Sequence, residues 1–462
     1  MNIGKIIIDS SNDQLVEGFK WAKKQALSYA HGNDPVGKWY EAALPERDAF
    51  CMRDVAHQSM GAHVLGLQEH TKNMLRKFAA NISESRDWCS YWEINKDDLP
   101  APVDYRDDAD FWYNLPANFD VLNCCLRQYL WTGDKEYIED PVFLNFYQKT
   151  VDAYVDRWDV NGDGFLGHRG GCSYRGIASY LEGQVGKKEI LVASDLIAAQ
   201  YAGYSSYAEI LSIKDDYVDA NIYKEKAEAL KSTFNKSWWD DNQKAYYTAH
   251  FKNGERCIVP VESAFENREM VTPMPLYFNI TEEGQKTKSA IDVILACDKT
   301  NVETRSHYPE ILYNYGYHED AYRILMDLVD PSLHRREYPE VSYAVVGSVL
   351  NGMLGIDPDV TGRCVSTKPR FTEDVQWVSA FNVPIFENEI TIECRKENEM
   401  TFINTKGDSV VWKPIFLHEV KEILVDGERV LASHEIDKNG RLCSYVEITV
   451  DTDEERNVRF AD

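Results

Sequence analysis

The segment Glu46–Gln58 interrupts an apolar, helix-like pattern with closely spaced charges. Arg47, Asp48, Arg53 and Asp54 alternate there with apolar side chains, which is not the pattern of a solvated helix face. Burying a charge costs several kcal/mol unless the charge is paired or hydrogen-bonded. The pattern therefore predicts either a structural Arg/Asp network or a group that grips a polar ligand, and the residues alone leave both open. The candidate ligand contacts in this segment are Arg53, Asp54, His57 and Gln58.

A stretch rich in Gly and Tyr, residues 168–188, is too long for a plain connector. Long loops on a rigid scaffold commonly carry function. Glu182 is the only carboxylate of this stretch, and it follows Tyr180 and Leu181. Desolvation by such neighbours could raise its pKa toward that of a general acid. The alternative is an ordinary solvated loop glutamate.

A second acidic cluster lies immediately before the last predicted helix. Pro339 suits the first turn of that helix, which places Glu337 and Glu340 near its positive end and favours their ionised forms. An ionised carboxylate flanked by two arginines and Tyr338 could act as a general base on a water molecule. An ordinary helix cap with a surface ion pair is the competing interpretation.

The composition favours a polar, uncharged ligand over a polyanion. The net charge is −26, from 76 acidic and 50 basic residues, which argues against nucleic-acid and anionic-membrane partners. Aromatic residues make up 12% of the chain, and many adjoin polar residues, a combination that suits sugars because their CH faces stack on rings. A core that simply uses Tyr and Trp explains this equally well. Further candidate substrate contacts are Trp112, Tyr180, Arg305, His307 and Tyr338.

The segment Asp159–Gly164 resembles the start of a calcium loop, but position twelve of that loop would be Gly170 instead of a bidentate carboxylate. A tight turn that ends the preceding helix at Trp158 fits better. The ten cysteines show no metal spacing, so we expect no metal or other cofactor, and reduced thiols in a cytoplasmic protein. The N-terminal apolar run is too short for a secretory signal, and no apolar stretch is long enough to span a membrane.

Hydrophobic periodicity divides the chain into a helical part and a smaller β part. It predicts helices over 12–30, 55–80, 118–131, 143–158, 189–213, 220–238, 284–296, 302–315, 319–328 and 338–354, with a short helix between 265 and 278. Helical hairpins in such a number close most naturally into a toroid. After about residue 358 the pattern alternates, with turn signals at Lys406-Gly and Asp426-Gly. We therefore expect a mainly α protein, an (α/α)6 toroid over 1–362 followed by a small antiparallel, sandwich-like β domain over 363–462.

Several short motifs in this order resemble those of the six-hairpin, (α/α)6-barrel glycosidases. Met52-Arg-Asp54 resembles the Arg-Asp sugar clamp of glucoamylase-like members. Trp131-Thr-Gly-Asp134 is similar to a helix end of trehalase-like members. The run from Ser342 to Pro358, followed by Lys368-Pro-Arg370, is similar to the last barrel helix and its exit in α-L-rhamnosidase-like members. The sequence departs from the opening acidic motif of rhamnosidases and lacks the Trp-containing acid motif of glucoamylases, which leaves the sugar, its anomeric configuration and its linkage open.

The resemblance implies a glycoside hydrolase that is inverting and exo-acting on a small glycoside or oligosaccharide. In it Glu182 would be the general acid and either Glu337 or Glu340 the general base, while Arg53 and Asp54 hold the sugar. An epimerase, lyase or phosphorylase on the same scaffold is an alternative, and a non-catalytic carbohydrate-binding protein is another. An epimerase would use histidine as its proton shuttle, and the candidates for that role are His57, His63, His168 and His307. The sequence does not indicate an oligomeric state.

Overall fold

The computed structural model describes residues 3–44, 46–168, 176–180, 190–258, 273–297, 301–396 and 398–460. The α-helices of these residues are α1 (Asp13–Ser28), α2 (Met52–Val64), α3 (Gln68–Ala80), α4 (Ala117–Thr132), α5 (Glu136–Glu139), α6 (Pro141–Val151), α7 (Ala153–Trp158), α8 (Ser194–Ile213), α9 (Tyr217–Ser237), α10 (Met274–Tyr277), α11 (Gln285–Ala296), α12 (Val302–Arg305), α13 (Tyr308–Asn314), α14 (His318–Leu328) and α15 (Pro339–Gly347). Helix α15 continues through Ser348–Met353 as a wider π-helical turn.

The described strands fall into small sheets within the helical part and two larger sheets after it. They are β1 (Ile7–Ser10), β2 (Ala30–Asp34), β3 (Gly37–Tyr40), β4 (Ala49–Cys51), β5 (Glu93–Asn95), β6 (Tyr105–Asp107), β7 (Asp110–Phe111), β8 (Ile190–Ala193), β9 (Trp239–Asp240), β10 (Ala245–Tyr246), β11 (Ala249–Phe251), β12 (Arg256–Cys257), β13 (Asp357–Asp359), β14 (Cys364–Thr367), β15 (Trp377–Ile385), β16 (Asn388–Arg395), β17 (Glu399–Lys406), β18 (Val410–Phe416), β19 (Glu422–Val425), β20 (Glu428–Leu431), β21 (Ser433–Ile436), β22 (Leu442–Tyr445), β23 (Ile448–Val450) and β24 (Glu454–Phe460).

The helices form two layers that differ in how much of their surface is buried. Helices α2, α4, α8 and α15 are buried on nearly every face, as their small and apolar sequences predict. Helix α2 packs on α4, α4 on α8, α8 on α10, α10 on α13, α13 on the π-helical turn after α15, and α15 on α2. The more polar helices α1, α3, α9 and α14 pack respectively on α15, α2, α8 and α13. The inner helices are therefore each held between two inner neighbours.

The C-terminal part is sheet-rich, as the alternating pattern predicts. Its first sheet has the antiparallel order β1-β15-β16-β17-β24-β19-β20. The second has the order β13-β14-β18-β22-β21, with β23 also paired to β18 and β14 parallel to β18. Strand β1 enters the first sheet from the N-terminal end of the chain, pairing Ile7 with Phe381 and Ser10 with Val378.

The β region packs against the helices through buried contacts. The Trp131 indole N–H, at the end of α4, donates to the Pro384 carbonyl of β15 at 2.9 Å. His63 of α2 lies 3.3 Å from the same carbonyl oxygen. Between the two larger sheets, the rings of Phe402 and Trp412 stack at 5.3 Å. The helical and β parts therefore share one hydrophobic core.

The predicted element types are largely confirmed, and most differences come from local breaks. The helix expected over 55–80 ends at Val64, because Gly66 adopts a positive φ before α3 begins. The helix expected over 143–158 breaks at Asp152, between α6 and α7. The turn after Trp158 is confirmed, since the Asp159 carboxylate accepts backbone N–H groups of the following residues. Among the described helices, none combines the length and apolar character needed to cross a membrane.

We predict that Gly61→Ala destabilises the inner layer. A Cβ at Gly61 would lie 2.0 Å from the Tyr343 carbonyl oxygen, so α2 and α15 would have to separate. Overpacking of this kind costs about 1–3 kcal/mol or more. The midpoint of thermal unfolding should therefore fall clearly. Gly32→Ala is the matched control, because nothing lies within 4 Å of a Cβ there, and equal midpoints in the two variants would contradict the prediction.

Candidate active site

Acidic residues occupy the first turns of five inner helices. They are Asp54 of α2, Asp120 of α4, Asp195 of α8, Glu310 of α13 and Glu340 of α15. All except Glu310 are buried. The helix N-terminus is the positive end of the helix dipole, which favours acidic groups there. Since these helices pack side by side, their first turns bring several carboxyl groups to one end of the helical part.

Asp54 and Glu340 form a buried carboxyl pair. Burial raises the pKa of Glu340 well above its ordinary value, and the charge of Asp54, with which Glu340 shares a hydrogen bond, raises it further. Two carboxyl groups that hydrogen-bond each other must hold a proton between them. The expectation that the helix dipole keeps Glu340 ionised is therefore wrong, because desolvation and the neighbouring carboxylate outweigh the dipole.

Arg53 supplies positive charge to this pair and is flanked by two aromatic rings. Its Nε lies 3.6 Å from Asp54 Oδ1. Its guanidinium lies 5.7 Å from the centroid of Trp92 and 5.1 Å from that of Tyr180. The charge of Arg53 opposes the rise in the pKa of Glu340. The result is a charged, hydrogen-bonding surface bordered by aromatic faces.

Two histidines face each other beside this pair. His57 Nδ1 lies 3.3 Å from His307 Nε2, and the two rings are nearly perpendicular. Burial lowers the pKa of both rings, that of His307 to about 3. His57 Nε2 lies 3.6 Å from Asp120 Oδ2, and the Tyr180 hydroxyl donates to that same oxygen. Both imidazoles are therefore neutral at neutral pH, and Asp120 adjoins the first of them.

Asp195 anchors Ser179 and Tyr180, two described residues of the predicted functional loop. The Ser179 hydroxyl and the Tyr180 backbone N–H donate to its Oδ2 at 2.9 and 2.6 Å. Burial raises the pKa of Asp195 to about 7, while the hydrogen bond from Ser179 opposes the rise. The carboxyl group thereby holds Tyr180 over Arg53. Glu182, two residues further along the chain, lies outside the described residues.

A small cavity of about 20 Å³ lies between α2, α13 and α15. His57, Gln58, His307, Glu310 and Glu340 are among its lining residues. Among the described residues, neither side-chain polar atom of Gln58 has a hydrogen-bond partner, and Glu340 Oε2 has none. This volume is enough for about one water molecule, and such a water needs polar partners of this kind. The cavity is thus suited to a water molecule in contact with Glu340.

The structure brings together six of the predicted candidates: Arg53, Asp54, His57, Tyr180, His307 and Glu340. Gln58 joins them through the small cavity. Glu337 does not, because its side chain is exposed while its backbone carbonyl accepts from Tyr29. Arg305 is paired with Asp327 of α14 at 2.5 Å.

Two aromatic candidates contact other groups. The Tyr338 ring lies under Arg335, with the guanidinium 4.3 Å from its centroid. Trp112 is half-buried against the core, and its backbone N–H donates to the Asp104 carbonyl. Asp120, Asp195 and Glu310 were not among the residues predicted from the sequence. Their signal was an acid in the first turn of an otherwise buried helix.

The first half of the charged segment has a different role. Arg47 lies 3.0 Å from Glu93 and 3.5 Å from Asp104, while Asp48 pairs with Lys96 at 2.5 Å. Burial, followed by the hydrogen bond that protonated Glu93 donates to Asp104, raises the pKa of Glu93 to about 9. The structural interpretation therefore holds for the first half of the segment. The second half supplies Asp54 to the carboxyl pair, and its role in gripping a polar ligand stays a prediction. Among the described residues, no group of three or more His, Cys, Asp or Glu side chains is placed to hold a metal ion.

We predict that Glu93→Gln flattens the dependence of stability on pH. Between about pH 4.5 and 9 the unfolded chain ionises Glu93 while the folded protein retains its proton, so the free energy of unfolding falls as pH rises. The slope from this one group is at most about 1.4 kcal/mol per pH unit. Urea unfolding at pH 5 and at pH 8 gives the free energy of unfolding at each pH, and the difference between the two gives the slope. The exposed Glu225→Gln is the control, and a slope unchanged by Glu93→Gln would be inconsistent with a buried, protonated group.

The sequence matches no family model and no curated protein. The fold does match solved structures. An α-L-rhamnosidase from Dictyoglumus thermophilum aligns over 100% of this chain and 50% of its own, with a TM-score of 0.65 and 16% identity. An α-L-rhamnosidase of Streptomyces avermitilis, complexed with L-rhamnose, aligns over 100% of this chain and 42% of its own, with a TM-score of 0.59 and 12% identity.

A putative kojibiose phosphorylase from the human microbiome aligns over 100% of this chain and 68% of its own, with a TM-score of 0.55 and 11% identity. This chain therefore spans half or less of the length of the two rhamnosidases. These similarities concern the arrangement of helices and strands. The chain therefore shares the fold of these solved structures.

Proposed function

We propose that this protein is a sugar-active enzyme that hydrolyses a glycosidic bond with inversion, acting at the end of a small glycoside or oligosaccharide. The proposal rests first on the buried Asp54–Glu340 pair beside Arg53. In this account the inner helices close into an (α/α)6 toroid over 1–362, and the β domain over 363–462 supports it. The free cysteines among the described residues favour a reducing compartment such as the cytoplasm.

The carboxyl pair suits the activation of water. Two carboxyl groups that share one proton carry one negative charge, and the protonated member can accept a proton from a water molecule as it passes its own proton to the other. The small cavity under Glu340 supports this role, since it has room for that water. We assign the base to Glu340, which accepts the water proton while it passes the shared proton to Asp54, and Asp54 and Arg53 also hold sugar hydroxyls.

The general acid is proposed from the sequence resemblance. Inversion requires a second carboxyl group roughly 6.5–9.5 Å from the base, on the opposite face of the sugar. Asp54 cannot supply it, because it hydrogen-bonds Glu340 directly. Glu182 follows Tyr180, whose ring covers Arg53, and it remains our candidate for this position. Trp92 and Tyr180 would stack on the apolar face of the sugar.

The names of the similar structures agree with a carbohydrate substrate. Two of them are α-L-rhamnosidases and one is a putative kojibiose phosphorylase. Their chemistries differ on one scaffold, so the scaffold alone does not select hydrolysis. The paired carboxyl groups favour it, because neither phosphorolysis nor simple binding requires a base that activates water.

We predict hydrolysis of at least one member of a panel of aryl α- and β-glycosides, with the first-formed anomer inverted when followed by NMR. Glu340→Gln should lower kcat at least 100-fold, because the amide cannot accept a proton. Glu337→Gln is the matched control, three residues earlier and exposed, and should stay within about twofold of the wild type. The assignment would be refuted if Glu337→Gln alone lost activity. It would also be refuted if the first-formed product kept the anomeric configuration of the substrate.

Epimerisation is a second candidate, which the His57–His307 contact favours. Two neutral imidazoles 3.3 Å apart can remove and return a proton next to a sugar carbonyl. The histidines lie beside the same carboxyl pair, so both reactions would use one pocket.

Solvent deuterium distinguishes the two reactions. In D2O an epimerase incorporates deuterium at the carbon next to the carbonyl of a free reducing sugar, whereas a glycosidase does not. We predict no such incorporation by the wild type, measured by NMR. The opposite result is a protein that cleaves no glycoside but takes up deuterium, with that uptake abolished by His57→Asn and His307→Asn. This result would make epimerisation, and not hydrolysis, the function of the site.

A further inference from the structure

A larger cavity of about 430 Å³ is lined by residues from the C-terminal halves of α4 and α8 and from the end of α13. Arg127 of α4 lines it, seven residues and therefore roughly 10 Å along the helix from Asp120. Asn314, at the end of α13, and Asn351, in the π-helical turn after α15, line it too. Its volume lies within the range of small-molecule sites, roughly 300–1,000 Å³.

The β domain contributes to this cavity. Lys438, from the turn between β21 and β22, lines it and donates to Asn279 Oδ1 at 2.8 Å. Arg370 lines it as well, and its guanidinium donates to the carbonyls of Asn351 and Gly352. The cavity is therefore built by both parts of the chain.

The charges of the lining cancel. The three carboxylates are those of Glu209, Glu310 and Asp357, and the three cations are Arg127, Arg370 and Lys438. The cations are already engaged: Arg127 binds Glu310 at 2.8 Å and Tyr277, and Lys438 and Arg370 bind the oxygens named above. A phosphorylated or carboxylated ligand would need an uncompensated positive charge, so this lining disfavours one.

The remaining groups suit hydroxyls. Four amides line the cavity, from Asn123, Asn279, Asn314 and Asn351. Asn279 accepts from Lys438, and Asn123 and Asn351 donate to Ser206 and to the Ile356 carbonyl, so each amide keeps at least one donor or acceptor for a ligand. Among the described residues Asn351 Oδ1 is buried with no hydrogen-bond partner. Tyr201 and Tyr277 add aromatic faces. Amides with aromatic rings and no net charge match a molecule with many hydroxyls and CH faces.

We propose that this cavity is a second binding site, for an uncharged mono- or disaccharide, separate from the catalytic pocket. Glu310 and Asn351 line both this cavity and the small cavity under Glu340. A sugar that rearranges these side chains would change affinity at the catalytic pocket, and the coupling would be reciprocal. The proposal does not depend on hydrolysis, since any sugar-active enzyme or binding protein could use the site.

Binding stoichiometry tests the proposal in the full chain. Glu340→Gln protein is titrated calorimetrically with D-glucose, L-rhamnose, maltose and cellobiose, so that no probe is consumed. We expect at least one of them to show two binding events. Tyr201→Ala should weaken one event at least tenfold and leave kcat of the otherwise wild-type enzyme within twofold. Tyr217→Ala, an exposed tyrosine on α9, is the control and should change neither.

Each other result overturns the proposal. The second site is ruled out if only one binding event is seen, if no probe binds, or if Tyr201→Ala changes neither event. It is also ruled out if sugar occupies the cavity at crystal concentration only. Competition by inorganic phosphate would contradict the uncharged class. Thermal unfolding of Tyr201→Ala must match the wild type, and Asn314→Leu provides a second variant if it does not. Two events in a protein that cleaves no glycoside would sustain this site while the hydrolase proposal fails.

Discussion

The arrangement depends on how buried carboxyl groups avoid ionisation. A carboxylate removed from water is costly, and a second carboxylate beside it makes ionisation of both more costly still. Asp54 and Glu340 meet this constraint by hydrogen-bonding each other next to Arg53, so the pair holds a proton at neutral pH. The helix dipole at the start of α15 acts in the opposite direction but is a smaller effect, typically below about 1 kcal/mol at an exposed site.

The inner helices make that interaction possible by bringing distant residues together. Asp54 and Glu340 are far apart in sequence, and they meet because α2 packs directly on α15. Gly61 allows the close approach, since any side chain there would meet the Tyr343 backbone. Glu310, which pairs with Arg127, lines both the small cavity under Glu340 and the larger cavity. The packing of the inner helices thus shapes both cavities.

Sequence patterns predicted the types of secondary-structure element better than they predicted the residues of the candidate site. Periodicity identified nearly all of the long helices, because an amphipathic or fully apolar repeat is a local property. It also placed the turns at Gly407 and Gly427, whose φ values are positive. The pairing of β1 with β15 escaped it, because a strand of four residues carries no sign of a partner far along the chain.

The candidate-site residues predicted in the charged segment are those whose charges interrupt an apolar pattern. Charges inside an apolar segment pointed to Arg53 and Asp54, yet the same signal in Arg47 marked a structural network with Glu93. Choosing between Glu337 and Glu340 required knowing which side of the first turn faces α2. Asp120 and Asp195 are single acids at helix starts, which the sequence cannot distinguish from ordinary caps. Protonation depends on burial, and burial depends on the packing of the whole chain.

Neutron diffraction of the perdeuterated protein near neutral pD locates protons on carboxyl oxygens and so shows whether the buried pair holds one. We expect one deuteron between the facing oxygens of Asp54 and Glu340. We also expect an ordered water in the cavity beneath Glu340. Two fully ionised carboxylates, each turned toward a cation or solvent with no deuteron between them, would contradict this expectation.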